Sequence, residues 1–107
     1  MGKVIVHNKL VRDNIPQIIA NGGGRAKLHQ MDNEEYRHEL LKKLIEEANE
    51  LLESDGSIEE RADVAEVLKA IDELMEYDAQ ELEQVRIDKA QERGEFKQRL
   101  FLEKVTK

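Results

Sequence analysis

DNEEYRHELLKKLIEEANELLESDGSIEERADVAEVLKAIDELMEY, residues 32–77, carries two runs of helical periodicity on either side of Ser54-Asp55-Gly56. At about 100° per residue, Leu40, Leu41, Leu44, Ile45, Ala48, Leu51 and Leu52 form one apolar stripe, and Val64, Ala65, Val67, Leu68, Ile71, Leu74 and Met75 form a broader one. Asp32 with Glu35, and Ser57 with Glu60, have the spacing of capping boxes, in which a side-chain oxygen accepts from an N–H one turn on. The reading is two amphipathic helices, Asp32 to about Glu53 and Ser57 to about Tyr77, broken at Ser54-Asp55-Gly56. So short a connection makes them antiparallel neighbours.

The same signals extend outward. Asp78 and Glu81 open a further helix that ends at Arg93, with Gly94 placed for a C-terminal cap. Before residue 32, Asp13 or Asn14 caps a short helix carrying Ile15, Ile18 and Ile19, with Pro16 in its first turn and Gly22-Gly23-Gly24 at its end. No Gly-Lys-Ser/Thr follows those glycines, so they read as a linker and not as a phosphate loop. Residues 1–11 are expected to form an extended arm. The tail from Glu95 to Lys107, with Phe96, Leu100, Phe101, Leu102 and Val105, is expected to pack back on the bundle.

The 107 residues fit a single all-α domain. With 24 acidic against 17 basic residues the net charge is −7, which argues against a grip on nucleic acid through phosphate neutralisation. There is no cysteine, hence no disulfide, thiolate metal site or thiol nucleophile. Without an apolar run of membrane-spanning length, a cytoplasmic protein is expected. Only four aromatic residues are present, and the helix from Ser57 carries Val67 and Leu74 on a different side from Ala65 and Leu68. One partner helix cannot cover both sides, so a homo-oligomer is expected, a dimer or tetramer.

The placement of four acids is unusual. Glu47 falls at the edge of the first stripe and Glu50 about 60° beyond it. Glu60 and Asp63 project among Val67, Ile71 and Leu74. Each pair is spaced i,i+3, and the antiparallel turn brings the pairs together. Like charges 4 Å apart repel by about 4 kcal/mol at an effective dielectric near 20, so the group needs protons or cations. An all-oxygen ligand set selects a hard ion, Mg²⁺ or Mn²⁺, and Mg²⁺ commonly shares its shell with phosphate oxygens. By contrast Glu46, Glu53, Glu59 and Glu73 suit a solvated face. His7, His29 and His38 are scattered and fit no metal-ligand pattern, and Asp72 lies on an apolar face without an evident partner.

Glu46-Glu47-x-x-Glu50 followed by Glu60-x-x-Asp63 resembles the paired motif of the MazG-like all-α nucleoside triphosphate pyrophosphohydrolases. Asn8-Lys9-Leu10-Val11-Arg12-Asp13-Asn14-Ile15-Pro16 resembles the N-terminal signature of the branch known as phosphoribosyl-ATP pyrophosphohydrolase-like. Arg93-Gly94-Glu95-Phe96, with Phe101-Leu102-Glu103, is similar to that branch's C-terminal end. The resemblance implies a MazG-like helical bundle assembled with a partner subunit. It also implies Mg²⁺-dependent cleavage of a nucleoside triphosphate between the α- and β-phosphates, with Glu47, Glu50, Glu60 and Asp63 as metal ligands.

Glu46 or Glu50 would then orient the attacking water or accept its proton. Cations should meet the outer phosphates. Lys89 and Arg93, at i,i+4, are the preferred pair because they adjoin the C-terminal resemblance, and Lys9 and Arg12 are the other. Two rivals stand beside this expectation: phosphoribosyl-ATP hydrolysis in histidine synthesis, and a non-catalytic helical interaction module whose acids are merely solvated.

Overall fold

The three longer helices follow the local signals closely, whereas Asn14 stands before the short helix Ile15–Asn21 without the expected side-chain capping bond. In a computed structural model that describes residues 2–107, the elements are α1 (Ile15–Asn21), α2 (Asn33–Glu53), α3 (Ile58–Met75) and α4 (Ala79–Arg93), with no strand among the described residues. Asp32 accepts from the Glu35 amide at 2.9 Å, Asp78 from the Glu81 amide at 2.9 Å, and the Ser57 hydroxyl from the Glu60 amide at 3.3 Å. Each bond satisfies an amide that the first turn of a helix leaves without an intrahelical partner. Residues 2–14 form no helix or strand, and Val4, Ile5 and Val6 are exposed.

The turn between α2 and α3 is tightly stapled. The Asp55 amide donates to the Leu52 carbonyl and the Gly56 amide to the Leu51 carbonyl, each at 3.0 Å, the pair of bonds that defines a Schellman cap. Asp55 (φ 56°) and Gly56 (φ +88°) both take left-handed backbone, which is easy for the glycine and tolerable for aspartate. Ser54 adds two bonds, its hydroxyl donating to the Leu51 carbonyl and accepting from the Ser57 amide. The chain therefore reverses within a few residues, and α2 and α3 pack on each other as an antiparallel hairpin.

Up to Met75 the chain forms one compact unit, whose core lies in that hairpin. Leu40 (3% exposed), Val67 and Ile71 are its buried centre, with Leu10, Tyr36, Leu44, Ala70 and Leu74 packed against it. Only half of the expected α2 stripe is inside. Leu40, Leu44 and Leu51 face α3, whereas Leu41, Ile45, Ala48 and Leu52 are exposed, Leu52 at 78%. The inward face is rotated toward Lys43 and Glu47, so Glu47 lies within the buried face and not at its edge. A stripe of both halves is wider than one partner helix covers, and the hairpin selects one side.

Glu76–Lys107 form a second unit. In α4 only Ile87 and Ala90 are partly covered, and Leu82 and Val85 are exposed. Gly94, at φ +87°, ends the helix. Within that unit the tail is left uncovered: Phe96 is 97% exposed, and Leu100, Phe101, Leu102 and Val105 are exposed with it. Mostly polar α4 offers its own unit no apolar face wide enough to receive them.

Candidate metal centre

Because the hairpin is antiparallel, residues near the turn face one another across it. One carboxylate oxygen from each of Glu47, Glu60 and Asp63 falls within a group whose members are all within 4.8 Å of one another. These are three of the four acids picked out as ligands by their spacing. The fourth, Glu50, lies one turn after Glu47, and its proximity raises the proton affinity of Glu47. Glu60, Asp63 and Glu50 are half-buried, and Glu47 is 8% exposed. A buried carboxylate in an apolar hairpin is costly unless something compensates it.

Compensation by the protein is incomplete. Glu47 Oε2 and Glu60 Oε2 are both buried and have no hydrogen-bond partner. Lys43 Nζ lies 3.5 Å from Glu47 Oε1 and 3.2 Å from Glu46 Oε2, one turn away on α2. Burial, reinforced by Glu50, pushes the Glu47 carboxyl above the ordinary glutamate value, and Lys43 only partly opposes the rise. Glu46 shows the reverse balance. Burial raises it, but Lys43 and Lys9 outweigh that and hold it below the ordinary range.

No protein-family model matches the chain, and neither a curated protein nor a solved structure does.

Three converging carboxylates, two with a buried oxygen left unpaired, make an all-oxygen set of excess negative charge. That set fits a hard divalent cation such as Mg²⁺ or Mn²⁺, which accepts oxygen lone pairs and removes the mutual repulsion at once. Thiolate is absent from the chain, and the histidines stand apart: His29 pairs with Glu35 at 3.0 Å on the surface. Asp72 is half-buried and makes no ion pair among the described residues.

Lys9 and Arg12, the second choice, reach the acids: Lys9 Nζ is 3.4 Å from Glu46 Oε1, and Arg12 Nη2 donates to Asp63 Oδ1 at 2.7 Å. Lys89 and Arg93 are exposed residues of α4 in the second unit. Sequence reading passed over Lys43, although its i,i+4 spacing to Glu47 is a recognisable ion-pair signal. Next to the carboxylates, Asn8, Lys9, Lys42, Lys43 and Glu46 line an open cavity of about 150 Å³.

Proposed function

We propose that Glu47, Glu60 and Asp63, with Glu50 beside them, hold Mg²⁺ or Mn²⁺, and that the chain is a nucleotide pyrophosphohydrolase. The observation that carries this reading is the buried Glu47 carboxylate. One of its oxygens has no partner, and it converges on two further acids within 4.8 Å. The resemblance of the acidic motif and of the Asn8–Pro16 segment to MazG-like enzymes supports the same conclusion.

When bound there, a divalent ion supplies neutralisation of the phosphate oxygens and of the departing pyrophosphate. The protein's own residues do the rest. A water oxygen bonds to the α-phosphorus, and the bond from that phosphorus to the oxygen bridging the β-phosphate breaks. Pyrophosphate leaves with the electron pair, and the water's proton passes to a carboxylate. Glu46 and Glu50 are the candidates for that acceptor role, and Glu46 is also engaged by Lys9 and Lys43. Lys9, Arg12 and Lys43 are the cations on hand for the outer phosphates. Lys89 and Arg93 remain candidates for the same role by resemblance. Nucleotide pools of the cytoplasm are the setting that fits. No helix among the described residues is long and apolar enough to cross a membrane.

The exposed half of the α2 stripe, Leu41, Ile45, Ala48 and Leu52, supports assembly with a second copy, since it adds an apolar ridge that the hairpin leaves uncovered. Incubation of the protein with standard and modified nucleoside triphosphates, and with phosphoribosyl-ATP, tests the reaction. Monophosphate and pyrophosphate should appear together, in Mg²⁺ and not in EDTA. Release of inorganic phosphate instead would contradict cleavage at the α–β bond.

A further inference from the structure

Arg12 and Asp63 are 51 positions apart in sequence, yet their side chains meet at 2.7 Å, and Asp63 is one of the three converging acids. The guanidinium thus occupies an oxygen of a carboxylate that a divalent ion would also claim. Both partners are substantially exposed, 57% for Arg12 and 40% for Asp63, and an ion pair so exposed is weak and easily exchanged. A guanidinium is also the side chain best shaped for phosphate, which it binds through paired N–H donors. Lys9, one turn's length earlier in the same segment, makes the parallel contact to Glu46. Both cations therefore come from one short stretch of chain lying against the acids.

We infer that Arg12 is an exchange cation: it competes with a divalent ion for Asp63 and, once displaced, binds a phosphate oxygen of a polyphosphate that arrives complexed with that ion. This rests on the metal-site reading above. It adds that the ion and the polyphosphate cooperate through one side chain. The free ion alone must displace the Arg12 interaction without recompense, whereas the complexed ion offers the guanidinium a new anion. The ligand class favoured is accordingly a metal–polyphosphate complex over either component by itself. A rigid alternative, in which Arg12 simply orients Asp63 for coordination, makes the opposite statement about the free ion.

The test compares full-length wild type, Arg12→Gln, Asp63→Asn and Lys69→Gln for binding of Mn²⁺ alone, followed by electron paramagnetic resonance of the free ion, and of preformed Mn²⁺–tripolyphosphate, followed by calorimetry. Lys69, paired with Glu73 on the surface of α3, controls for the loss of one positive charge. The expected result is a reversal of sign: Arg12→Gln binds free Mn²⁺ about threefold to tenfold more tightly and the complex about tenfold more weakly. Asp63→Asn should weaken both, and Lys69→Gln should change neither. Unchanged or weaker binding of free Mn²⁺ by Arg12→Gln, or undiminished binding of the complex, overturns the exchange. Equal tightening in Lys69→Gln, or intact Mn²⁺ binding in Asp63→Asn, also overturns it. Failure of the wild type to bind Mn²⁺ overturns the metal-site reading itself, a result distinct from all of these.

Discussion

Glu47 stands two helical turns after Leu40 on the same inward face of α2, and both are buried, at 8% and 3% exposure. A carboxylate thus continues the line of the hydrophobic core toward the turn. Its neighbours include Glu50, which raises its proton affinity, and Lys43, which offsets only part of the rise. That single placement ties the stability of the hairpin to the charge on the candidate site.

The pH dependence follows from the direction of the shift. Raised proton affinity in the folded state means that Glu47 contributes stability below the ordinary glutamate pKa and loses it as pH rises through its elevated folded value. Glu46, shifted down, contributes above its ordinary value and loses that contribution as pH falls through its lowered one. In EDTA, Glu47→Gln should therefore be more stable than wild type at pH 8, with the gap closing as pH falls toward 4.5. Denaturant titrations across that range check it. A gap that widens toward acid pH would contradict the assignment of Glu47 as a strained carboxylate.

Divalent metal should invert that ranking. A ligand that binds only the folded state adds RT ln(1 + [L]/Kd), about 2.7 kcal/mol at a hundredfold excess over Kd. Wild type gains this and Glu47→Gln largely does not, so wild type becomes the more stable of the two in excess Mg²⁺ or Mn²⁺. Melting curves in metal and in EDTA are the measurement. Superimposed wild-type curves would mean that the carboxylates share no metal.

The exposed ridge of α2 carries its own expectation. Ile45→Glu places a charge in the middle of Leu41, Ile45, Ala48 and Leu52, where an interface between copies would bury it. Wild type should scatter light as a dimer or larger, and Ile45→Glu as a species near 12.4 kDa with its helix content unchanged. A wild-type mass near 12.4 kDa at micromolar concentration would contradict assembly.

Helix boundaries were legible in sequence because caps are local. Asp32 and Asp78 each bond an amide three residues on, a distance visible in the string itself. The convergence of Glu47, Glu60 and Asp63 was legible for a related reason: i,i+3 spacing and a short turn determine it nearly completely. Which half of the α2 stripe points inward was not legible, since both Leu40-Leu44-Leu51 and Leu41-Ile45-Leu52 satisfy helical periodicity. The choice depends on how α3 docks. The contacts of Arg12 and Lys9 with the acids were not legible either, since they span 51 and 37 residues and leave no mark on local pattern. What covers the apolar tail was not legible either, and its own unit leaves Phe96 and Phe101 exposed.

If a carboxylate-held metal drives pyrophosphate release, removing one carboxylate of the site must stop it. Pyrophosphate release from nucleoside triphosphates in Mg²⁺ is compared among wild type, Asp63→Asn, Glu50→Gln and Glu73→Gln. The first two substitutions keep side-chain size while removing one negative charge from the site, and the third removes a charge from an exposed acid of α3 outside it. Turnover should fall by orders of magnitude in Asp63→Asn and Glu50→Gln and persist in Glu73→Gln, with all three folded. Retained turnover in Asp63→Asn and Glu50→Gln, equal loss in all three, or no pyrophosphate from wild type with any nucleotide, would contradict the account.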